Sequence, residues 1–293
     1  MSDTLPSIAF IGAGSMGGAI VRGLAASGTT VDGGIVVTNR TAARAASLAG
    51  LDGVTSVALA ERPEGNTEAV AGARVVVLGV KPHLMPELLL EIAPHVREDA
   101  IVVTLAAGVP LAAYEARLPG TAVVRAMPNT PSTVGRGVTG IAAGTHATPE
   151  DAAIVRRLFE TVGEVLEVDG DDGIDAISTI SGSGPAYVYL FIEKLAEAAR
   201  HRGFSDADAR LLAARTFSGA TALLDAEGEA PEELRRRVTS PKGTTERAIA
   251  VLQDADLGRV LADATDAAFA RARELAGTIA APPTEAIILK SSD

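Results

Sequence analysis

Three stretches of the chain carry residue types and spacings able to do chemistry. Gly12-Ala13-Gly14-Ser15-Met16-Gly17 follows an apolar run that ends at Ile11 and opens a helical pattern. Glycines at this spacing permit a tight turn and close backbone approach, and amides at a helix N-terminus favour a phosphate. Glycine clusters also make ordinary turns, and it is the strand–turn–helix setting that favours dinucleotide binding here. The second stretch, Asn39-Arg40-Thr41, stands where an NAD site holds the ribose 2′-hydroxyl with Asp or Glu. No carboxylate is present to repel a 2′-phosphate, and an arginine flanked by two hydrogen-bonding side chains can hold one. NADPH is the expected cofactor and NADH the alternative; a surface arginine beginning the next helix is the simpler explanation of Arg40. In the third stretch, Val238-Thr-Ser240-Pro-Lys242-Gly243-Thr244-Thr245 leads into a helix. The amides of Gly243, Thr244 and Thr245 suit a carboxylate, although Ser and Thr are favoured helix caps in any case.

Other chemistries are excluded by composition. The 293 residues contain no cysteine, so disulfides, zinc–thiolate sites, iron–sulfur clusters and thiol nucleophiles are absent. The four histidines, His83, His95, His146 and His201, show no metal-ligand spacing, and no metal is expected. A net charge of −11, acidic in both halves, lacks the basic excess that nucleic-acid binding requires. The first residues leave no room for a signal peptide, and no apolar run reaches the ~18 residues of a membrane span, so a cytoplasmic location is expected.

The elements that must position these residues fall into two groups. Short β-branched runs over residues 7–12, 35–38, 54–57, 74–80, 100–106, 122–126, 138–143 and 164–168 read as strands. Several are apolar without alternation, the pattern of strands buried on both faces. Helical patterns over 16–27, 42–48, 86–92 and 149–161 lie between them, giving a doubly wound α/β (Rossmann) dinucleotide-binding domain over residues 1–169. After Asp169-Gly-Asp-Asp-Gly173, the expected boundary, long alanine-rich helices take over at 186–202, 207–226, 231–238, 245–252 and 257–280. Residues 170–293 read as an all-α domain whose small-residue faces are completed by a partner chain, a self-contained bundle being the alternative, and end in a flexible tail from Ala281. In open α/β sheets ligands lie beyond the carboxyl ends of the strands, which brings Val80-Lys81-Pro82 and Ala106-Ala107-Gly108 to the crevice. Arg125-Ala-Met-Pro-Asn129-Thr130-Pro131 either presents Asn129 and Thr130 or makes a rigid turn.

Together with the glycine turn, Val80-Lys81-Pro82 and Arg125 to Pro131, two later segments resemble the pyrroline-5-carboxylate reductase family in order and spacing. They are Ile180-Ser-Gly-Ser-Gly-Pro-Ala-Tyr-Val-Tyr189 and the Ser-Pro-x-Gly-Thr-Thr stretch ending at Thr245. The resemblance runs from about Ile8 to about Leu252. It implies reduction of 1-pyrroline-5-carboxylate to L-proline with NAD(P)H, the last step of proline biosynthesis, and C-terminal helices that interlock into dimers, often assembled into decamers. It also implies cofactor contacts at Ile11, Gly12, Ala13, Gly14, Ser15, Met16, Asn39, Arg40, Thr41, Val80, Lys81, Pro82, Ala106 and Ala107. A looser match adds Asn66. The substrate loop falls on Val238, Ser240, Gly243, Thr244 and Thr245. One departure is plain: Lys242 replaces the first glycine of the family's Pro-Gly-Gly, which leaves open a differently seated loop.

A substrate with a carboxylate and a ring imine fits these residues independently. Hydride transfer to an iminium carbon builds no alkoxide and needs no strong general acid, so Thr245 is the catalytic candidate, holding the ring nitrogen. The rival enzyme class, a β-hydroxyacid dehydrogenase, needs a lysine followed by an asparagine on the first interdomain helix. Lys194 comes late there and no asparagine follows. A non-catalytic NADPH-binding regulator is distinguished by binding without turnover.

Overall fold

All eight expected strands form, because each is a short β-branched run that two layers of helix can cover. The computed structural model describes residues 4–280. Two further strands, β1 (Thr4–Leu5) and β3 (Thr30–Val31), pair in parallel as a small separate sheet. Thr4 and Leu5 thus enter the fold, with Leu5 fully buried. The main sheet contains β2 (Ile8–Ile11), β4 (Ile35–Asn39), β5 (Val54–Ala58), β6 (Val75–Leu78), β7 (Ile101–Thr104), β8 (Ala122–Met127), β9 (Gly137–Ala143) and β10 (Gly163–Glu167). Their spatial order is β10-β9-β8-β7-β6-β2-β4-β5, parallel throughout except where β9 runs against β8. Chain order reverses between β2 and β6, the place where a doubly wound sheet opens a crevice at the carboxyl ends of its strands.

Register shows why these strands lack polar alternation. Ile8 lies opposite both Ile35 and Val75, and Val75 opposite Ile101. Side chains alternate across a strand, so Phe10, Val77 and Val103 point to one face while Ile11, Val76 and Val102 point to the other. The first set packs with Ile20, Val21 and Leu24 of α1 (Ser15–Ala26) and with Val155, Leu158 and Phe159 of the helix Pro149–Glu160. The second packs with Met85, Leu88, Leu89 and Ile92, which begin and line the helix Met85–Ile92. Between these come α2 (Ala42–Ala46) and α3 (Gly65–Gly72), then α4 (Met85–Ile92), α5 (Leu111–Glu115) and α6 (Pro149–Glu160). Thr148 caps α6 in a reciprocal pair with Asp151.

The glycine- and aspartate-rich segment expected as the boundary forms the first half of a helix, α7 (Gly170–Ile177), continued by a π-turn at Ser178–Gly182. Buried Arg125 on β8 holds α7 in place. Its Nη1 pairs with Asp171 and its Nη2 lies 3.1 Å from Asp175 Oδ1, while Asp171 also accepts the Leu111 amide at 3.1 Å. The first compact unit accordingly runs to Gly182 and is taken up again from Ala268.

The second unit, Ser183–Ala267, is all helical. It contains α8 (Gly184–His201), α9 (Asp206–Glu227), α10 (Pro231–Arg237) and α11 (Thr244–Asp254), and α12 (Leu257–Ala280) begins within it. Ser205 caps the start of α9 and left-handed Gly228 ends it. Its buried core is small, built on Ala196, Ala209 and Ala213 with Ile192 and Ala199 packed beside them. Leu190, Leu211, Val251 and Val260 are each more than half exposed. The tail expected from Ala281 lies outside the described residues. Among those described, no helix is long and apolar enough to cross a membrane.

Candidate active site

The crevice at the switch point is a cleft of about 530 Å³. Ile11, Gly12, Gly14, Asn39, Arg40, Thr41, Asn66, Val80 and Lys81 all line it. The other expected cofactor residues, Ala13, Ser15, Met16, Pro82, Ala106 and Ala107, do not line this cleft. Arg44, Leu59, His83, Glu87 and Glu91, which sequence reasoning missed, do.

Gly12 is required by geometry. It has φ +78°, and a Cβ there would stand 2.6 Å from Val80 Cγ1. The amides of Gly12 and Ala13 both donate to the Thr38 carbonyl, at 3.0 and 3.3 Å, and the Gly14 amide donates to Gly12. The free amides expected along the turn are therefore those of Ser15 and Met16, the first residues of α1, which have no intrahelical acceptor. Gly14 caps this helix without a side-chain bond, and no acidic residue occupies its first turn. A positive helix end stands open to an anion.

Polar groups around the cleft divide into satisfied and unsatisfied sets. Thr38 Oγ1 donates to Asn66 Oδ1 at 2.7 Å, and Asn66 Nδ2 donates to Glu91 Oε1 at 3.1 Å, which orients the amide. Asn39 is 2 % exposed, yet its Nδ2 has no acceptor among the described residues. A buried donor left unmade is costly, and a bound ligand in this cleft would relieve it. Glycine cradle, open helix end, orphaned donor and the cations Arg40, Arg44 and Lys81 fit a phosphate-bearing dinucleotide.

The neighbouring strand-end loop is shaped by β7. Thr104 Oγ1 accepts the Ala106 amide at 3.2 Å and lies 2.5 Å from Tyr114 Oη. Burial pushes the Tyr114 phenol up to about 12, so it stays neutral and this anchor does not titrate in the physiological range. Asn129 is spent on structure: Nδ2 donates to the Ser181 carbonyl and Oδ1 accepts the Val138 amide, both at 2.9 Å. Of the two readings of residues 125–131, the rigid turn describes Asn129.

In the helical unit, the loop between α10 and α11 carries Val238 and Ser240 and ends at Gly243, the N-cap of α11. Gly243 makes no side-chain cap, and Thr244 and Thr245 fall in the first turn, so neither threonine serves as the helix cap. The Gly243 amide donates to the Ser240 carbonyl at 2.9 Å, which removes it from the three amides expected to face a carboxylate. Those of Thr244 and Thr245 remain. Lys242 has φ 60°, the left-handed backbone of a glycine, and its amide donates to Glu246 Oε2 at 2.9 Å. The loop therefore keeps the left-handed turn despite its lysine, at a cost of roughly 1–2 kcal/mol. Lys242→Gly should raise stability by about 0.5–1 kcal/mol, seen as a higher urea midpoint. An unchanged or lower midpoint would mean the lysine side chain makes offsetting contacts.

Lys194, the residue a β-hydroxyacid dehydrogenase would need, is exposed on α8 and donates to Glu197 at 2.8 Å. That hydrogen bond, with the one to Glu193, raises its pKa and makes it a poorer proton donor. Among the described residues, no group of three His, Cys, Asp or Glu could hold a metal ion.

A doubly wound sheet with this cleft at its switch point defines a nucleotide-dependent oxidoreductase of the Rossmann class, followed by a helical unit. The family model for NADP oxidoreductase, coenzyme F420-dependent, matches residues 7–108, and that for pyrroline-5-carboxylate reductase dimerisation matches 171–275. Pyrroline-5-carboxylate reductase of Pseudomonas aeruginosa is 38% identical over 272 residues, spanning 92% of this chain and 97% of that protein. The Corynebacterium melassecola enzyme is 38% identical over 275 residues, spanning 92% and 99%. The solved pyrroline-5-carboxylate reductase of Coxiella burnetii superposes with a TM-score of 0.84 at 37% identity, covering 92% of this chain and 97% of its own. The chain belongs to the pyrroline-5-carboxylate reductase family.

Proposed function

We propose that the protein reduces 1-pyrroline-5-carboxylate to L-proline, taking the hydride from NADPH. The observation that carries this reading is the pairing of a dinucleotide cleft with a Ser-Pro-x-Gly-Thr-Thr loop, in a chain similar over most of its length to enzymes of that name. Cofactor binding is assigned to residues 1–169, and substrate binding and dimerisation to residues 170–293. This division begins one helix before the compact helical unit. When bound, NADPH supplies the hydride that reduces the ring C=N bond.

The chain's own residues bind and orient. Ser15 and Met16 offer amides to the pyrophosphate, and the cradle of Ile11, Gly12, Ala13 and Gly14 admits it. Asn39, Arg40 and Thr41 hold the adenosine end, with Asn66 beside them. Val80, Lys81 and Pro82, with Ala106 and Ala107, border the nicotinamide half. In the substrate loop, Val238, Ser240 and Gly243 shape the turn. The Thr244 and Thr245 amides hold the carboxylate, and the Thr245 hydroxyl holds the ring nitrogen.

The helical unit exposes Leu190, Phe191, Leu211, Leu212, Val260 and Leu261 around a core of three buried alanines. Apolar area on that scale favours a second copy, so the working form is proposed as a homodimer built on these helices, with the decamer a further assembly. The proposed compartment is the cytoplasm, where a reductase meets regenerated NADPH, and no nucleic-acid partner is assigned to so acidic a chain. The test is loss of reduced-nicotinamide absorbance with pyrroline-5-carboxylate, run beside a panel of 3-oxo acids, with light scattering on the same sample. Turnover of the imine by a species of at least twice the chain mass is expected. Turnover of the 3-oxo acids alone, or NADPH binding without turnover, would overturn the reading.

A further inference from the structure

The cleft contains a cation that the family motifs do not point to. Arg44 Nη1 lies 3.8 Å from where a Cβ on Gly14 would stand, so its guanidinium reaches the phosphate turn from α2. The start of α2 is held by Thr41, whose hydroxyl accepts the Arg44 amide at 3.4 Å. Arg40, in the bend between β4 and α2, lines the same cleft, and Asn39 adds its orphaned donor there.

Charge distribution makes this arrangement informative. Some exposed arginines elsewhere are paired, as Arg62 is with Glu68, Arg97 with Asp99 and Arg156 with Glu167, while Arg22 and Arg117 reach only backbone carbonyls of their own surroundings. Among the described residues, neither Arg40 nor Arg44 has a carboxylate within ion-pair distance. Carboxylates do border the cleft, but on the other wall: Glu87 and Glu91 of α4, with Glu91 bonded to Asn66. The cleft is thus cationic along the turn from β4 to α2 and anionic along α4. A phosphate monoester is attracted to the first wall and repelled from the second. Such a group presents three acceptor oxygens at near double charge, more than one guanidinium fork engages.

We propose that Arg44 is a specificity-determining residue, forming with Arg40 a two-armed clamp for the phosphate monoester that distinguishes NADPH from NADH. This rests on the NADPH reading above. Arg40 follows the strand end, and Arg44 reaches back toward Gly14, which ties monoester recognition to the turn that cradles the pyrophosphate. Discrimination is shared by two arginines four residues apart, one before α2 and one on it, and removal of either leaves the other as partial support.

The test is calorimetric binding of NADPH, NADH, 2′-AMP and 5′-AMP to the full-length chain, which requires no turnover. Arg44→Ala is expected to weaken NADPH and 2′-AMP by about tenfold, and NADH and 5′-AMP by less than about threefold. Arg44→Lys should fall between, because an ammonium keeps the charge without the fork. Arg40→Ala with Arg44→Ala should lose the preference for NADPH altogether. Equal weakening of NADPH and NADH by Arg44→Ala would mean Arg44 serves the shared pyrophosphate, and no weakening would mean it serves neither; both overturn the proposal. Should Arg44→Ala fail to fold, Arg44→Lys decides by the same comparison. If the unaltered chain binds NADH but not NADPH, the cofactor reading itself fails, an outcome distinct from any Arg44 result.

Discussion

Thr245→Val is expected to lower kcat by about one to two decades while leaving KM for the imine and NADPH affinity nearly unchanged. The hydroxyl is half-buried at the second position of α11 and has no hydrogen-bond partner among the described residues. Other helical threonines spend theirs on the backbone: Thr216, Thr221 and Thr265 each bond the carbonyl four residues back. A free hydroxyl beside two free amides suits the proposed substrate, which has a carboxylate and a ring nitrogen. As the hydride arrives at carbon, the C=N π pair moves onto the ring nitrogen, and a hydroxyl that donates to that nitrogen is held more strongly in the transition state than in the ground state. A hydrogen bond to a charged group contributes about 1.5–3 kcal/mol, which sets the expected loss in rate. Valine preserves shape and both amides, so carboxylate binding should persist and the loss should fall on kcat. Thr244→Val, altering an exposed first-turn hydroxyl, should cost much less. An unchanged kcat for Thr245→Val, with folding intact, would remove Thr245 from the chemistry.

The largest stability effect is expected at Arg125. Its side chain is 4 % exposed and faces Asp171 and Asp175, the latter also buried. Arg125→Ala leaves two carboxylates without their counter-charge, and breaking a buried pair in this way costs about 3–5 kcal/mol. A typical domain has only about 5–15 kcal/mol in total, so the variant should unfold at much lower urea. Replacing all three groups, Arg125→Met with Asp171→Asn and Asp175→Asn, should recover much of the loss, because the penalty lies in the uncompensated charge. If Arg125→Ala costs less than about 1 kcal/mol, water or a cation has entered and α7 is held by its apolar face alone.

The sheet was readable because its central strands are buried on both faces, so runs such as Val75-Val-Val-Leu78 are apolar without alternation. Helices with weak periodicity were not. α3 begins and ends in glycine and is held by packing on β2 and β4, and α5 has only five residues, held against its flanking strands β7 and β8. The start of α7 carries turn residues, and its helical state follows from Arg125, 46 residues before Asp171. At the site, the glycine turn and Asn39 to Thr41 were visible because they are contiguous. Arg44 and Glu91 were not, since helical periodicity shows which residues share a face but not which strand end that face overlooks. Four-residue spacing from Arg40 to Arg44 was the available signal. The left-handed backbone at Lys242 runs against local preference and is legible only in the folded loop.

The order of strands has a consequence for how copies of the chain can associate. The outermost strands of the main sheet, β5 and β10, are five residues long, and each is blunted. On β10, Glu164 and Glu167 put charge along the rim, and Arg156 grips Glu167 at 2.7 Å. On β5, the Ser56 hydroxyl is tied across to the Ala45 carbonyl of α2 at 2.8 Å. Short, charged or side-tied rims are poor templates for strand addition, which keeps unpaired backbone from recruiting a neighbour into a continuous ribbon. A crowded solution of this protein is therefore steered away from aggregation through the edges of this sheet.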